Sequence, residues 1–182
     1  FKMKSLKFLS ITVLSALALT ACTEAEIEKV NSTPASTASS SAATTAVETK
    51  ESEAPEETIY KVGDSVKFDN LIITVNGVRN SQSEFMKPEE GNQIILVDVT
   101  AENKGTDEES VSSMLLTEVV DGDGYKYDVT IVDDNKGSFD GSIGAGRKLR
   151  GEIAFEVPEA ASSLEFIFSN PFKTGQAIWK IK

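Results

Sequence analysis

Residues 59–182 are predicted to fold as one all-β domain, a sandwich of antiparallel sheets. Three observations predict it: apolar and polar residues alternate with a period of two, Gly, Asn, Asp and Pro punctuate the alternating runs, and no long helical period interrupts them. A small barrel is the competing topology for the same pattern.

The elements follow in order. Ser65–Phe68 and Leu71–Arg79 read as the first two strands, with Asn76-Gly77 marking a turn or bulge in the second. In the next, Ile95, Val97, Val99 and Ala101 share one face and Asp98, Thr100 and Glu102 the other. Ser113–Val120 and Lys126–Val132 are read as strands joined across Gly122-Asp123-Gly124. Leu149, Ile153, Phe155 and Val157 alternate with Arg150, Glu152 and Glu156 after a turn at Gly144-Ala145-Gly146. Leu164, Phe166 and Phe168 form a further apolar face before Asn170-Pro171. Ala177, Trp179 and Ile181, opposite Lys180 and Lys182, close the domain. About eight short strands separated by Gly and Asp turns suit a sandwich. One helical turn is expected near Pro158–Ser162.

Several short motifs carry a resemblance in their order and spacing. They are Val62-Gly63-Asp64, Glu90-Gly91-Asn92 leading into Val97-Asp98-Val99, Glu102-Asn103-Lys104-Gly105, the group Asp121, Gly124 and Tyr127, and Gly141, Ile143 and Gly146 ahead of Gly151-Glu152-Ile153-Ala154-Phe155-Glu156-Val157-Pro158. Together they resemble the telokin-like domain of unknown function carried by Gram-positive lipoproteins and related to secreted immunoproteins. The resemblance spans Ile59 to Lys182. It implies an immunoglobulin-like β-sandwich and extracytoplasmic display, and it carries over no catalytic residue. The sequence departs from the pattern at Gly144-Ala145-Gly146, where relatives often place a proline. It also lacks the Cys–Trp–Cys pin of antibody domains, since Cys22 lies outside the domain.

The first 22 residues read as a signal peptide. Lys2, Lys4 and Lys7 precede an apolar run from Phe8 to Leu19, too short to span a bilayer comfortably. The run ends in Leu19-Thr20-Ala21-Cys22, which resembles the bacterial lipobox and uses the single cysteine of the chain. The resemblance implies cleavage before Cys22 and fatty acylation there, of the palmitate kind, which would tether the protein to the extracytoplasmic face of the cell membrane. One acyl chain binds only marginally at about 0.8 kcal/mol per buried methylene, so two or three would be needed. An ordinary secretory signal and an uncleaved anchor are the competing readings.

Residues 23–58 change character. They hold no aromatic residue, and eight Glu face only Lys29 and Lys50. Rich in Ser, Thr and Ala, the stretch is expected to be a disordered linker that spaces the domain from the membrane, because it buries too little apolar surface to offset the entropy of ordering.

Composition narrows the chemistry. The 182 residues include 18 Lys plus Arg, 29 Asp plus Glu and no His, for a net charge of −11. Nucleic acid is therefore not expected as a partner. Without histidine the commonest general base and metal ligand are gone, and one cysteine permits no internal disulfide and no thiolate cluster. No enzymatic activity, cofactor or metal is predicted. Asp121-Gly122-Asp123-Gly124 opens like a calcium loop, but Tyr125 and Val132 fall where that template needs oxygen ligands, so a hairpin turn is preferred. A looser calcium site adding Asp133, Asp134 or Asp140 is the alternative. Candidate partner contacts are the loop residues Phe85, Met86 and Phe139 and the basic group Arg147, Lys148 and Arg150. The aromatics could equally fold back onto the core, and the basic group could simply balance neighbouring acids. The predicted function is a lipid-anchored surface lipoprotein with a monomeric binding domain for an unknown protein or cell-wall partner. The alternatives are an accessory envelope lipoprotein and a small-ligand or calcium carrier.

Overall fold

The computed structural model describes residues 27–30 and 58–182. The expected signal peptide, Cys22 and the rest of residues 23–57 lie outside the described residues. Among the described residues there are thirteen strands and one helical turn. In chain order they are β1 (Ile27–Val30), β2 (Ile59–Lys61), β3 (Ser65–Phe68), β4 (Leu71–Asn80), β5 (Asn92–Asn103), β6 (Glu109–Val111), α1 (Ser113–Leu116), β7 (Thr117–Asp121), β8 (Lys126–Tyr127), β9 (Val129–Thr130), β10 (Gly141–Ile143), β11 (Lys148–Pro158), β12 (Leu164–Ser169) and β13 (Gln176–Lys180). Six strands form one sheet in the order β1-β3-β4-β5-β11-β9, and five form the other in the order β2-β13-β12-β7-β8. The small β6–β10 ribbon stands beside them. Every pairing is antiparallel except β2 against β13. The chain is thus the all-β sandwich its alternation predicts.

The two inner faces meet around aromatic rings. Phe68 packs edge-on against Phe168 at 5.2 Å, and Phe155 against Phe166 at 6.1 Å. Trp179 lies between Tyr60 and Phe166 at 5.8 and 6.0 Å and is fully buried. Its indole N–H donates to the Asp64 carbonyl at 3.1 Å, so burial leaves no donor unsatisfied. The β3–β4 hairpin turns through Asp69-Asn70, with Asp69 in the left-handed region at φ 53° that short polar residues tolerate. At Asn76-Gly77 the β4–β5 register slips by one residue, as a bulge does. Asn103, wholly buried, donates to the carbonyls of Asp107 and Ile143 at 2.7 and 2.8 Å and accepts from the Gly105 N–H at 2.8 Å, closing the end of β5.

Four expectations are corrected. Ile27–Val30 falls inside the predicted disordered linker, yet forms β1 on the open edge of β3, with Ile27 packed on the core and Lys29 ion-paired to Asp64 at 2.9 Å. Ser113–Val120 is not one strand. Asp140 accepts from both the N–H and hydroxyl of Ser113 and holds Ser113–Leu116 in a helical turn before β7 begins. Lys126–Val132 is two short strands on opposite sheets, so the segment crosses from one sheet to the other. Pro158–Ser162 makes only a turn, with the Ala161 N–H donating to the Pro158 carbonyl at 3.2 Å.

The strand register defines two ends. One, the lower end here, carries the Asp69-Asn70 turn, the 104–108 loop, the Gly144–Arg147 turn and the 170–175 loop. The upper end carries the 81–91 loop, the Gly122–Gly124 turn and the 159–163 loop.

Candidate interaction surface

At the upper end two loops are folded over the outer face of the larger sheet. Beneath them β5 reads Ile94-Ile95-Leu96-Val97, apolar on both faces. Ile95 and Val97 point into the main core, while Ile94 and Leu96 join Ala154 and Val132 in a second, smaller cluster. Apolar residues on an outer face must be covered, and residues 81–86 and 131–136 provide the cover.

A hydrogen-bonded clamp fastens that cover. Arg79, near the end of β4, donates to both Glu152 carboxylate oxygens at 2.9 and 2.6 Å. The same guanidinium reaches the Asp134 carboxylate at 3.0 Å and its carbonyl at 2.7 Å. Asp134 also accepts from the Ser81 hydroxyl at 2.7 Å and the Gln82 N–H at 2.8 Å. Glu152, itself buried, accepts from the Lys136 N–H at 2.7 Å. A bond from the Ser83 hydroxyl to Asp133 ties the two loops together, and the Met86 N–H donates to that hydroxyl at 2.9 Å. Charge follows the bonding. The Gln82 N–H, then Ser81 and Arg79, hold the Asp134 carboxyl down at about 2, and the guanidinium of Arg79 holds Glu152 below the usual carboxylate range. Phe85 rides on this clamped platform 84% exposed, with Met86 beside it half-exposed.

Two clefts accompany the platform. A slot of about 470 Å³ opens between the sheets at the upper end, where Val78, Ile95, Leu164 and Ile181 meet the polar Gln93 and Glu159. Another, of about 300 Å³, lies along the β9–β11 edge above Phe139 and Asp140 and is rimmed by the exposed side chains of Met114 and Ile131.

The candidate contacts do not converge. Phe85 and Met86 are on the platform. Phe139 is 1% exposed and belongs to the core, which corrects its place among the candidate contacts. Its burial depends on Gly151: a Cβ there would stand 2.4 Å from the Ser138 carbonyl carbon and 2.5 Å from the Phe139 nitrogen, so only glycine lets the loop press onto β11. Arg147 and Lys148 lie at the lower end, and the twelve-residue β5 separates the two ends by about 35 Å at 3.3 Å per residue. Lys148 pairs with Glu102 at 3.2 Å, and Arg150 grips Asp98 through two bonds of 2.9 and 2.5 Å. Those two side chains balance local acids.

The acids of the proposed calcium loop have other partners. Asp121 accepts from the N–H groups of Asp123 and Tyr125, both at 2.9 Å, and from the Tyr127 hydroxyl at 2.7 Å. Tyr127 in turn is pushed up to about 12 by the carboxylate it faces. Among the described residues no three acidic side chains gather as a metal site. Met114, Ile131 and Phe172 are exposed apolar residues that sequence patterning missed. Phe172 carried a signal, since it follows a turn-forming Asn170-Pro171.

A family profile described as a domain of unknown function, DUF4352, matches residues 60–178. The chain belongs to this family. The DUF4352 match begins at β2 and runs into β13, and β1 lies outside it. Among solved structures the chain is similar to the yjhA protein of Bacillus subtilis, at 15% identity and TM-score 0.56, covering 68% of this chain and 100% of that one. It is also similar to the "putative lipoprotein" ycdA of Bacillus subtilis, at 20% identity and TM-score 0.52, covering 70% of this chain and 39% of that one. A conserved hypothetical protein of Bacillus anthracis matches at 15% identity and TM-score 0.50, covering 71% and 100%. Identities this low show a shared fold. No curated protein matches the chain.

Proposed function

We propose that this DUF4352 protein is an extracytoplasmic, non-catalytic interaction protein held to the membrane by lipid on Cys22. Leu19-Thr20-Ala21-Cys22 supports the anchor, and the name borne by ycdA agrees with it. The observation that carries the binding role is Phe85, an aromatic ring left in water on a loop that five hydrogen bonds, among them one from the Lys87 ammonium to the Ser83 carbonyl, hold in place. A mobile loop tip would spend ordering entropy on binding; a clamped one has already lost it. The protein or cell-wall partner meets Phe85 and Met86 at the upper end.

Photo-crosslinking on living cells tests this reading. A photoreactive residue at position 85 should give a discrete adduct that one at the exposed Lys180 of β13 does not. Equal or absent labelling at both positions favours an accessory lipoprotein without a ligand. Palmitate incorporation abolished by Cys22→Ser checks the anchor.

A further inference from the structure

We propose that the sandwich stands on the membrane on its lower end, braced there by β1, with the Phe172 loop against the lipid. The inference rests on the acylation of Cys22 and adds an orientation to it.

The argument is one of chain length. Only residues 23–26 lie between Cys22 and the first residue of β1. Five Cα steps span at most about 18 Å even when fully drawn out. Ile27 is fixed opposite Phe68, next to the Asp69-Asn70 turn, and β1 runs from there toward the upper end. The acyl chains must therefore enter the bilayer close to the lower end. Residues 31–57 connect β1 to β2, two strands of the same domain, so they add nothing to the distance between lipid and sandwich.

The lower end suits that position. Phe172 is 88% exposed at the tip of the 170–175 loop, and Lys173 ties the loop to Asp69 at 2.5 Å. Lys104 and Lys148 share Glu102, and Arg147 sits in the adjoining turn. Asp107, Glu108 and Glu109 lie on the same end, so net charge does not attract it to anionic lipid. The short tether and the Phe172 ring bring it there. The Phe85–Met86 platform, on the opposite end, then faces away from the membrane.

The test uses the full acylated chain in vesicles of phosphatidylglycerol and phosphatidylcholine. Cys22 is blocked by its thioether, so Phe172→Cys or Phe85→Cys takes a polarity-sensitive dye singly. Nitroxide-bearing lipids should quench the dye at 172 several-fold more than at 85. Inserting twenty Gly/Ser residues between Ala25 and Glu26 leaves every strand intact and should erase the difference. Equal quenching at both positions, or stronger quenching at 85, overturns the orientation alone, and a difference that survives the insertion overturns the short tether as its cause. A chain that fails to float with vesicles overturns the anchor and the orientation together.

Discussion

Replacing Gly151 by alanine tests how the loop of Phe139 is seated. The new Cβ would lie 2.4–2.7 Å from the backbone of Ser138 and Phe139, where an ordinary contact needs 3.4 Å or more. Both sides of the clash are main chain: β11 is fixed by eleven pairs to β5, so the loop must retreat by about 1 Å. That retreat draws Phe139 out of the core. Losing such a ring outright costs about 3–5 kcal/mol, and partial withdrawal should cost about 2–4 kcal/mol. Urea unfolding followed by the fluorescence of the single, buried Trp179 reads the loss. With a denaturant slope of about 1–3 kcal/mol per molar, the midpoint should fall by roughly 1–2 M. Phe139→Ala should cost at least as much, and the double variant clearly less than the sum, because the two changes undo one contact. A Gly151→Ala stability within about 0.5 kcal/mol of the parent, or full additivity with Phe139→Ala, would refute the reasoning.

Further outcomes concern the titrating groups. Asp134 is held at about 2 against an ordinary 3.8, a lowered carboxylate, so its stabilisation is complete above about pH 4 and fades as pH falls toward 2. Partial exposure leaves it worth about 1 kcal/mol, and Asp134→Asn should flatten that part of the acid-unfolding curve. Truncating Arg79 to Ala strands buried Glu152 without its cation, and should cost about 2–3 kcal/mol at neutral pH but less in acid, once the stranded carboxyl of the variant takes up a proton. Ultraviolet titration should find Tyr127 ionising near 12, and Asp121→Asn should lower it, since that carboxylate is the chief cause of the shift. An unmoved Tyr127 in the variant would contradict the 2.7 Å bond.

The long strands were legible because local pattern determines them. β4, β5, β11, β12 and β13 each alternate over enough residues to declare a buried face, and Ser65–Phe68 matched to the residue. What escaped depends on distant partners. β1 is four residues in a Glu-, Ser- and Thr-rich run, and only the open edge of β3, some 35 positions on, gives it a place. The clamp joins Arg79 to Glu152 across 73 positions, a pairing no local pattern announces. Phe139 looked like a loop aromatic because nothing near it reveals the missing side chain at Gly151. One clue was available and unused: four consecutive apolar residues at Ile94–Val97 mean a strand covered on both sides, and hence a loop lying over the outer face.

Because β1 arrives from outside the family match, the Ser65–Phe68 strand is an edge closed by a segment the domain does not otherwise own. A chain trimmed to begin at Thr58 would bare a row of unpaired amides, ready to accept a strand from any neighbour. In a crowded layer of such molecules, each leader strand lies within reach of the next sandwich as well as its own, which is the geometry that favours exchange. The four residues that brace one molecule are thereby also the ones through which two could be knitted into a pair.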